Sequence, residues 1–183
     1  MSSPATPDDL PDETAEARAV LPTADDTTVL GRALGTRLDA GDLVVLAGPL
    51  GAGKTRLAAG IGDGLGVEGP VTSPTFVIAR EHPPRPDGRG VPLVHVDAYR
   101  LAAGGDSPAA QRAALDDLDL DTDLTRAAVV IEWGEGVAEH LAAQHLLVRL
   151  DRDGPDEVRT AVLTGPARLV AAAGDVHPRI GPP

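Results

Sequence analysis

The sequence contains no cysteine, and it has only one phenylalanine, one tyrosine and one tryptophan. Without thiols the chain has no disulfide bond, no cysteine-ligated zinc site and no thiol nucleophile. With so few aromatic rings it also lacks the stacking platforms that proteins use to bind single-stranded nucleic acid. The core must therefore be built from Val, Leu, Ile and Ala.

Positive charge is scarce, since 28 acidic residues oppose 16 basic ones and the formal net charge is -12. Such a surface repels a phosphate backbone, so direct and autonomous binding of nucleic acid is not expected. No apolar run reaches transmembrane length, and the start Met1-Ser2-Ser3-Pro4 is unlike a signal or transit peptide. We expect a cytoplasmic protein without membrane contacts.

Residues 48–55 read GPLGAGKT, a full match to the Walker A pattern, between a strand-like segment and a helix-like one. Its glycines let the backbone fold around a phosphate chain with N–H groups pointing inward, and the following helix adds its positive dipole end. Lys54 would reach the outer phosphates and the Thr55 hydroxyl would ligate Mg²⁺. The predicted nucleotide-binding residues of this loop are Gly48, Gly51, Ala52, Gly53, Lys54, Thr55 and Arg56.

Two later strands each deliver an acid. The strand over 91–96 leads into Asp97, and the apolar run over 127–131 leads into Glu132. An acid at the carboxyl end of a buried parallel strand is typical of a Walker B site, where it holds Mg²⁺ or its water shell. Spacing alone leaves open whether Asp97 or Glu132 faces the metal. His95 is predicted to be structural. Trp133 either fills the core, which is the default for a tryptophan, or packs near the nucleotide.

Two further segments carry weaker functional signals. Residues 71–78 are rich in hydroxyls and contain a proline, which is typical of a switch loop in which Thr75 reaches the γ-phosphate; an ordinary helix-to-strand connection remains the alternative. The acidic segment 102–125 lacks the spacing of a calcium-binding loop, and it is interpreted as a solvated surface.

Periodicity predicts helices over 23–40, 54–65 and 109–118, and strands over 145–150 and 157–163 that Asp153-Gly154-Pro155 joins as a hairpin. Residues 81–90 are predicted to be a loop between strands. The expected organisation is a disordered acidic tail over 1–22, a P-loop ATPase domain over 23–165 and a Pro-rich C-terminal tail over 166–183.

Four segments taken together resemble the TsaE (YjeE) family of tRNA threonylcarbamoyladenosine biosynthesis ATPases. They are GPLGAGKT in the loop, SPTF at Ser73–Phe76, HVDAYRL at His95–Leu101 and IEWGE at Ile131–Glu135, and the resemblance covers roughly residues 23 to 165. It implies an α/β, P-loop NTPase-like three-layer fold with a mixed, mainly parallel central sheet. It also implies an ATP and Mg²⁺ site with weak ATPase activity.

The resemblance further implies a role in forming N6-threonylcarbamoyladenosine in tRNAs that read codons starting with A. The family member does not transfer the threonylcarbamoyl group. It binds the threonylcarbamoyl-transferase complex, made of the transferase subunit and its paralogous partner, and its ATP cycle resets that complex. Contact with tRNA is then indirect.

Carried onto this sequence, the resemblance gives each site residue a role. Lys54 becomes the phosphate lysine, Thr55 and Glu132 the metal ligands, and Thr75 the switch threonine. The remaining roles fall on Asp97 as the acid that supports hydrolysis, Trp133 beside Glu132, and Arg159 as a looser match to a nucleotide-contacting residue. Two features depart from the family: Pro49 replaces an acidic residue, and the segment after Arg100 is longer and richer in Ala and Gly.

Two other functions are compatible with a phosphate loop. One is a small-molecule kinase in which Arg80, Arg85 and Arg89 form a lid, although the loop that carries them is short and Pro-rich. The other is a nucleotide-gated binding module whose ATP is structural and whose hydrolysis is incidental.

Overall fold

A computed structural model describes residues 13–73, 78–104, 107–152 and 158–176. One seven-stranded sheet runs through it in the order β1-β7-β6-β2-β5-β4-β3. The strands are β1 (Thr14–Leu21), β2 (Leu43–Ala47), β3 (Ala79–His82), β4 (Leu93–Asp97), β5 (Ala128–Glu132), β6 (Leu146–Arg152) and β7 (Arg159–Pro166). The helices are α1 (Ala24–Gly35), α2 (Lys54–Leu65), α3 (Pro108–Asp116), α4 (Leu120–Leu124) and α5 (Ala167–Val170). Short 3₁₀ segments cover Ala98–Gly104, Glu139–Leu141 and Ala171–Val176.

The centre of the sheet is parallel and its flanks are antiparallel. Strands β6, β2, β5 and β4 run in one direction, while β7 and β3 run against their neighbours. Strands β2, β4 and β5 are buried along their whole length because helices cover both faces. This mixed three-layer α/β fold is the one that the sequence predicted.

Alternate residues of β2 supply the two halves of the core. Val44 and Leu46 pack on the side of α1 and α2, and Leu43 and Val45 pack on the side of α3 and α4. The parallel strands therefore carry their carboxyl ends, and any side chains placed there, to one common edge. That edge is where the phosphate loop lies.

The predicted tails are wrong where the structure describes them. Thr14–Leu21, assigned to a disordered tail, forms β1 and pairs antiparallel with β7. Its Ala19 and Leu21 are buried, so alternation of small apolar residues with charged ones marks a strand at the edge of the sheet. At the other end, α5 and the following 3₁₀ segment bury Val170 and Ala172. Residues 1–12 and 177–183 lie outside the described residues.

Helices α1 and α2 meet through glycines. A Cβ atom on Gly31 would lie 2.8 Å from the Cα of Gly60, and one on Gly35 would lie 2.9 Å from the Cα of Gly64. Real Cβ atoms do not approach backbone so closely, so only glycine fits at these contacts. At these points the backbones of the two helices meet directly, which holds the helix that follows the phosphate loop close against α1.

The arginine-rich loop lies at the wrong end of α2 for a phosphate lid. Part of the predicted loop is β3, which extends to His82. Beyond it, the backbone N–H of Arg85 donates to the Gly66 carbonyl at 2.8 Å, and that of Arg89 donates to Leu65 at 3.1 Å. Both contacts are at the carboxyl end of a helix about 18 Å long whose other end is the phosphate loop. Arg85 and Arg89 therefore lie away from the phosphate loop, which argues against a lid formed by all three arginines, while Arg80 lies on β3 opposite His95.

The acidic segment forms α3 and α4, and its carboxylates pair with basic side chains. Asp116 contacts His140, and Asp123 and Glu81 both bond Arg126. The hydrogen bond to Arg126 lowers the pKa of Glu81. Within the described ranges, no three His, Asp or Glu side chains are grouped as a metal site. Nor does any helix in those ranges have the length and apolar character needed to cross a membrane.

Candidate nucleotide-binding site

The loop between β2 and α2 has a backbone shape that requires glycine. Gly48, Gly51 and Gly53 have φ values of 133°, 80° and 108°. A Cβ atom on Gly48 would lie 2.1 Å from the carbonyl oxygen of Leu150, so even alanine would displace backbone there. Helix α2 begins directly after Gly53 and points the positive end of its dipole at the loop. The geometry is that of an anion cradle.

Lys54 is folded back over this loop. Its Nζ atom donates to the carbonyl oxygens of Gly48 at 2.6 Å and Pro49 at 2.9 Å, and it lies 3.5 Å from the centre of the Trp133 ring. Lys54 is only 4% exposed. Burial lowers the pKa of the Lys54 ammonium, and the nearby carboxylates of Glu132 and Asp97 oppose that shift. The site thus holds one buried cation beside two acids.

Glu132 links the phosphate loop helix to the sheet. Its Oε2 atom accepts a hydrogen bond from the Thr55 hydroxyl at 2.9 Å, and its Oε1 atom lies 2.9 Å from Nε2 of His95. Glu132 and His95 are both buried. A hydroxyl and a carboxylate oxygen side by side are the hard ligands that suit Mg²⁺, which otherwise keeps water and substrate phosphate oxygens. The residues present therefore fit a magnesium ion.

Asp97 lies in register with Glu132 on the neighbouring strand. Its carboxylate accepts hydrogen bonds from the Ser73 hydroxyl at 3.3 Å, from the Tyr99 backbone N–H at 3.2 Å and from the Arg100 side chain at 3.4 Å. The two acids are thus held differently. Glu132 bonds the loop helix, and Asp97 bonds the segment that leads into residues 74–77, which lie outside the described residues.

A cleft of about 320 Å³ opens beside these groups. Residues from the loop, α2, β5 and β7 line it: Leu50, Gly51, Gly53, Lys54, Thr55, Arg56, Ser73, Glu132, Trp133 and Arg159. Its volume is at the lower end of the range for small-molecule sites. Since its floor is the anion cradle, the cleft fits a nucleotide whose phosphates lie on the loop.

Trp133 forms a wall of this cleft, as its predicted place among the nucleotide-binding residues requires, and it also packs against the core on the side of α3 and α4. Its backbone is left-handed, with φ of 63°, while its N–H still bonds Leu46 at 2.9 Å. A bulky residue in that conformation is strained, and such strain is found mostly at functional sites. The ring lies beneath the ammonium of Lys54, with its centre 5.2 Å from the centre of the Tyr99 ring.

The profile of one protein family, described as "Threonylcarbamoyl adenosine biosynthesis protein TsaE", matches residues 21–161. The chain belongs to the TsaE family. A relative from Mycobacterium tuberculosis is 55% identical over 148 residues, which is 81% of this chain and 86% of the relative. Another relative, from Streptomyces coelicolor, is 55% identical over 139 residues. The match spans 74% of this chain and 88% of the relative. Both are named "tRNA threonylcarbamoyladenosine biosynthesis protein TsaE".

A solved structure agrees with this family assignment. The crystal structure titled Bacillus subtilus YdiB superposes with a TM-score of 0.66 at 25% identity, covering 90% of this chain and 95% of the other. The TsaE membership and the fold are therefore supported by sequence and by shape.

Most of the residues that the sequence proposed for a TsaE site do meet in space. Eight of them line the cleft: Gly51, Gly53, Lys54, Thr55, Arg56, Glu132, Trp133 and Arg159. Arg159 lies on the opposite wall, with Nε 3.6 Å from the position of a Cβ on Gly53. Gly48 and the buried Ala52 shape the loop beneath, and Asp97 adjoins Glu132. Thr75 lies outside the described residues, so its switch role stays a prediction.

The sequence predicted a structural role for His95 but not its contact with Glu132, and it gave Ser73 no part in this TsaE site. His95 contacts Glu132, and Ser73 contacts Asp97 and lines the cleft. A signal for His95 was available, because it points to the same side of β4 as Asp97 and β4 adjoins the strand of Glu132. The partner itself becomes visible only when the two strands are paired.

Proposed function

We propose that this TsaE family member binds ATP with Mg²⁺ in the cleft and hydrolyses it slowly, in support of threonylcarbamoyladenosine formation in tRNA. The observation that carries the proposal is the 2.9 Å bond between Thr55 and Glu132 at the rim of the glycine loop. It joins the hydroxyl that follows a Walker A lysine to the acid that ends a parallel strand. This is the ligand pair that a P-loop ATPase needs.

In this proposal the loop N–H groups and Lys54 bind the β- and γ-phosphates of ATP. Lys54 exchanges its bonds to the Gly48 and Pro49 carbonyls for phosphate oxygens. Thr55 and Glu132 would hold Mg²⁺, which would supply positive charge against the charge that develops on the phosphates. Asp97, in register beside Glu132, orients the water that attacks, and Thr75 senses the γ-phosphate. Positioning and electrostatic stabilisation supply the rate, so turnover by the isolated chain is slow.

The partner is proposed to be the threonylcarbamoyl-transferase complex, comprising the transferase subunit and its paralogous partner, in the cytoplasm. Two observations support this. The relatives are named for tRNA threonylcarbamoyladenosine biosynthesis, and the net charge of -12 opposes direct binding of tRNA. ATP turnover then acts on the complex and reaches tRNA indirectly.

The test is Mg²⁺-dependent ATP turnover by the chain alone and again with the purified complex and its tRNA substrate. We expect slow turnover alone and a clear increase with the complex. Lys54→Ala and Glu132→Gln should each reduce the stimulated rate by roughly 100-fold or more, as losses of transition-state charge stabilisation do. Glu135→Gln is the matched control, since Glu135 is exposed and pairs with Arg149.

The opposite results would change the proposal. If the isolated chain turned over several ATP per second, or if the complex had no effect on its rate, the proposed coupling would be wrong. If Glu132→Gln bound the complex and still supported tRNA modification, ATP would be structural and the nucleotide-gated binding module would be the better description.

A further inference from the structure

A fully buried histidine bonds the acid of the proposed metal site. His95 is 0% exposed and Glu132 is 3% exposed, and the 2.9 Å contact between them crosses from β4 to β5. Burying an acid and an imidazole away from water is costly unless each satisfies the other. Leu93 and Val130 are the neighbouring residues on that face of the sheet, so an apolar side chain would fill the position more simply.

The chemistry of the contact fixes which ring nitrogen carries the proton. An ionised carboxylate only accepts, so His95 donates its Nε2–H to Oε1 of Glu132. The Nδ1 atom has no hydrogen-bond partner among the described residues. The other carboxylate oxygen, Oε2, accepts from Thr55. Each oxygen of Glu132 therefore has one assigned donor.

We propose that His95 is a positioning residue, which holds Oε1 of Glu132 so that Oε2 stays beside the Thr55 hydroxyl, where the two oxygens could together ligate Mg²⁺. The inference rests on the function proposed above and adds a residue to it. A glutamate side chain has several rotatable bonds, and pinning one oxygen removes the rotamers that would turn the other away from the metal. Partners of this kind behind a metal ligand typically change metal affinity by 10- to 100-fold.

Two substitutions separate positioning from packing. His95→Leu keeps a side chain of similar size and removes the donor, whereas His95→Gln places an amide N–H close to the position of Nε2. Nucleotide binding is followed by the fluorescence of Trp133, first at fixed ATP with increasing Mg²⁺ and then in excess EDTA. Urea unfolding of each variant checks that the fold is intact.

We expect the loss of the His95 donor to weaken the Mg²⁺-dependent binding of nucleotide and to leave binding without Mg²⁺ unchanged. His95→Leu should raise the Mg²⁺ concentration at half-maximal response by roughly tenfold or more, and His95→Gln should stay within about threefold of the wild type. Nucleotide binding in EDTA should be the same for all three proteins. An unchanged Mg²⁺ midpoint in His95→Leu would overturn the proposal. An equal weakening with and without Mg²⁺ would overturn it too, because that pattern indicates general distortion of the cleft.

A second measurement is independent of ATP. In ¹⁵N-labelled protein the ring of His95, assigned by its loss in His95→Gln, should show the Nε2–H tautomer and shift in Glu132→Gln. The Nδ1–H tautomer would overturn the proposal. If the wild type bound nucleotide with no Mg²⁺ dependence, the proposed function would fail. If that dependence were present but unchanged in His95→Leu, the positioning role alone would fail.

Discussion

The Nζ atom of Lys54 lies 3.5 Å from the centre of the Trp133 ring, in a chain that contains one lysine and one tryptophan. A cation over an indole face is a favourable contact, worth about 2 kcal/mol or more once water is excluded. Lys54, the proposed phosphate-binding lysine, therefore contacts a ring that also lines the cleft. Both residues can be observed without interference from others of their type.

Trp133 should report nucleotide binding directly. When MgATP draws Lys54 toward the phosphates, the indole loses its cation and its emission should change in a saturable way. Lys54→Ala should lack this saturable change, and Glu135→Gln, at the exposed pair with Arg149, should retain it. Calorimetry provides the independent isotherm. Binding seen by heat without any change in emission would show that Lys54 stays on the ring.

The Lys54 ammonium should titrate below its usual pKa of 10.5, because burial disfavours its charged form. Protein labelled with ¹³Cε-lysine should give one lysine signal, whose midpoint measures this pKa. Glu132→Gln should lower the midpoint further, since the Glu132 carboxylate supports the charge. Glu135→Gln should leave it unchanged. A wild-type midpoint at or above 10.5 contradicts the burial argument.

The same shift predicts how stability depends on alkaline pH. Between the lowered pKa of Lys54 and 10.5, the unfolded chain binds more protons than the folded one. The free energy of unfolding of the wild type should therefore rise with pH across that interval relative to Lys54→Met, which has no charge to lose. Urea unfolding of both proteins at several pH values measures the difference. A difference that stays constant or falls over that interval would contradict the prediction.

Gly60→Ala should destabilise the protein, although alanine in a helix normally stabilises it by about 1 kcal/mol. The new Cβ would lie 2.5 Å from the Thr28 carbonyl oxygen and 3.0 Å from the Cα of Gly31, and backbone cannot yield as a side chain can. We expect a loss of about 1–3 kcal/mol in urea unfolding. Gly174→Ala is the control, because its Cβ would meet open space and its effect should be within about 0.5 kcal/mol.

His82 should make the fold sensitive to mild acid. Burial lowers the pKa of His82 from its usual 6.5, the bond to the Glu68 carbonyl opposes this, and His95 and Arg80 reinforce it. Below 6.5 the unfolded chain binds more protons, so the free energy of unfolding should fall as the pH drops. His82→Gln should flatten this dependence between about pH 7 and about pH 5. If the free energy of unfolding changed with pH equally in the wild type and in His82→Gln, titrating groups other than His82 would be responsible.

The elements whose structure depends on local sequence were predicted from local patterns. The glycine loop, α2 and the buried strands β2, β4 and β5 follow from motif spacing and from apolar runs between turn signals. Lys54, Thr55 and Glu132, which all line the cleft, could be proposed as site residues because each occupies a fixed place in such a pattern. The fold class followed from the same elements.

Features that depend on distant partners were missed. Strand β1 is stabilised by its pairing with β7, and its alanines carry little strand preference of their own. The sequence left Trp133 open between the core and the nucleotide site, because its left-handed backbone and its place over Lys54 depend on the folded loop. His95 acquires a role only through Glu132, which lies on the next strand.

The pairing of β1 with β7 determines when β1 can join the sheet during synthesis. Because Thr14 pairs with Pro166 and Leu21 with Arg159, the first strand to leave the ribosome waits for the last one before it has a neighbour in the sheet. The parallel centre of the sheet is complete only with β6, which immediately precedes that last strand. A chain stopped before β7 therefore carries the whole phosphate loop while β1 stays unpaired, and its nascent sheet is exposed along the β6 edge.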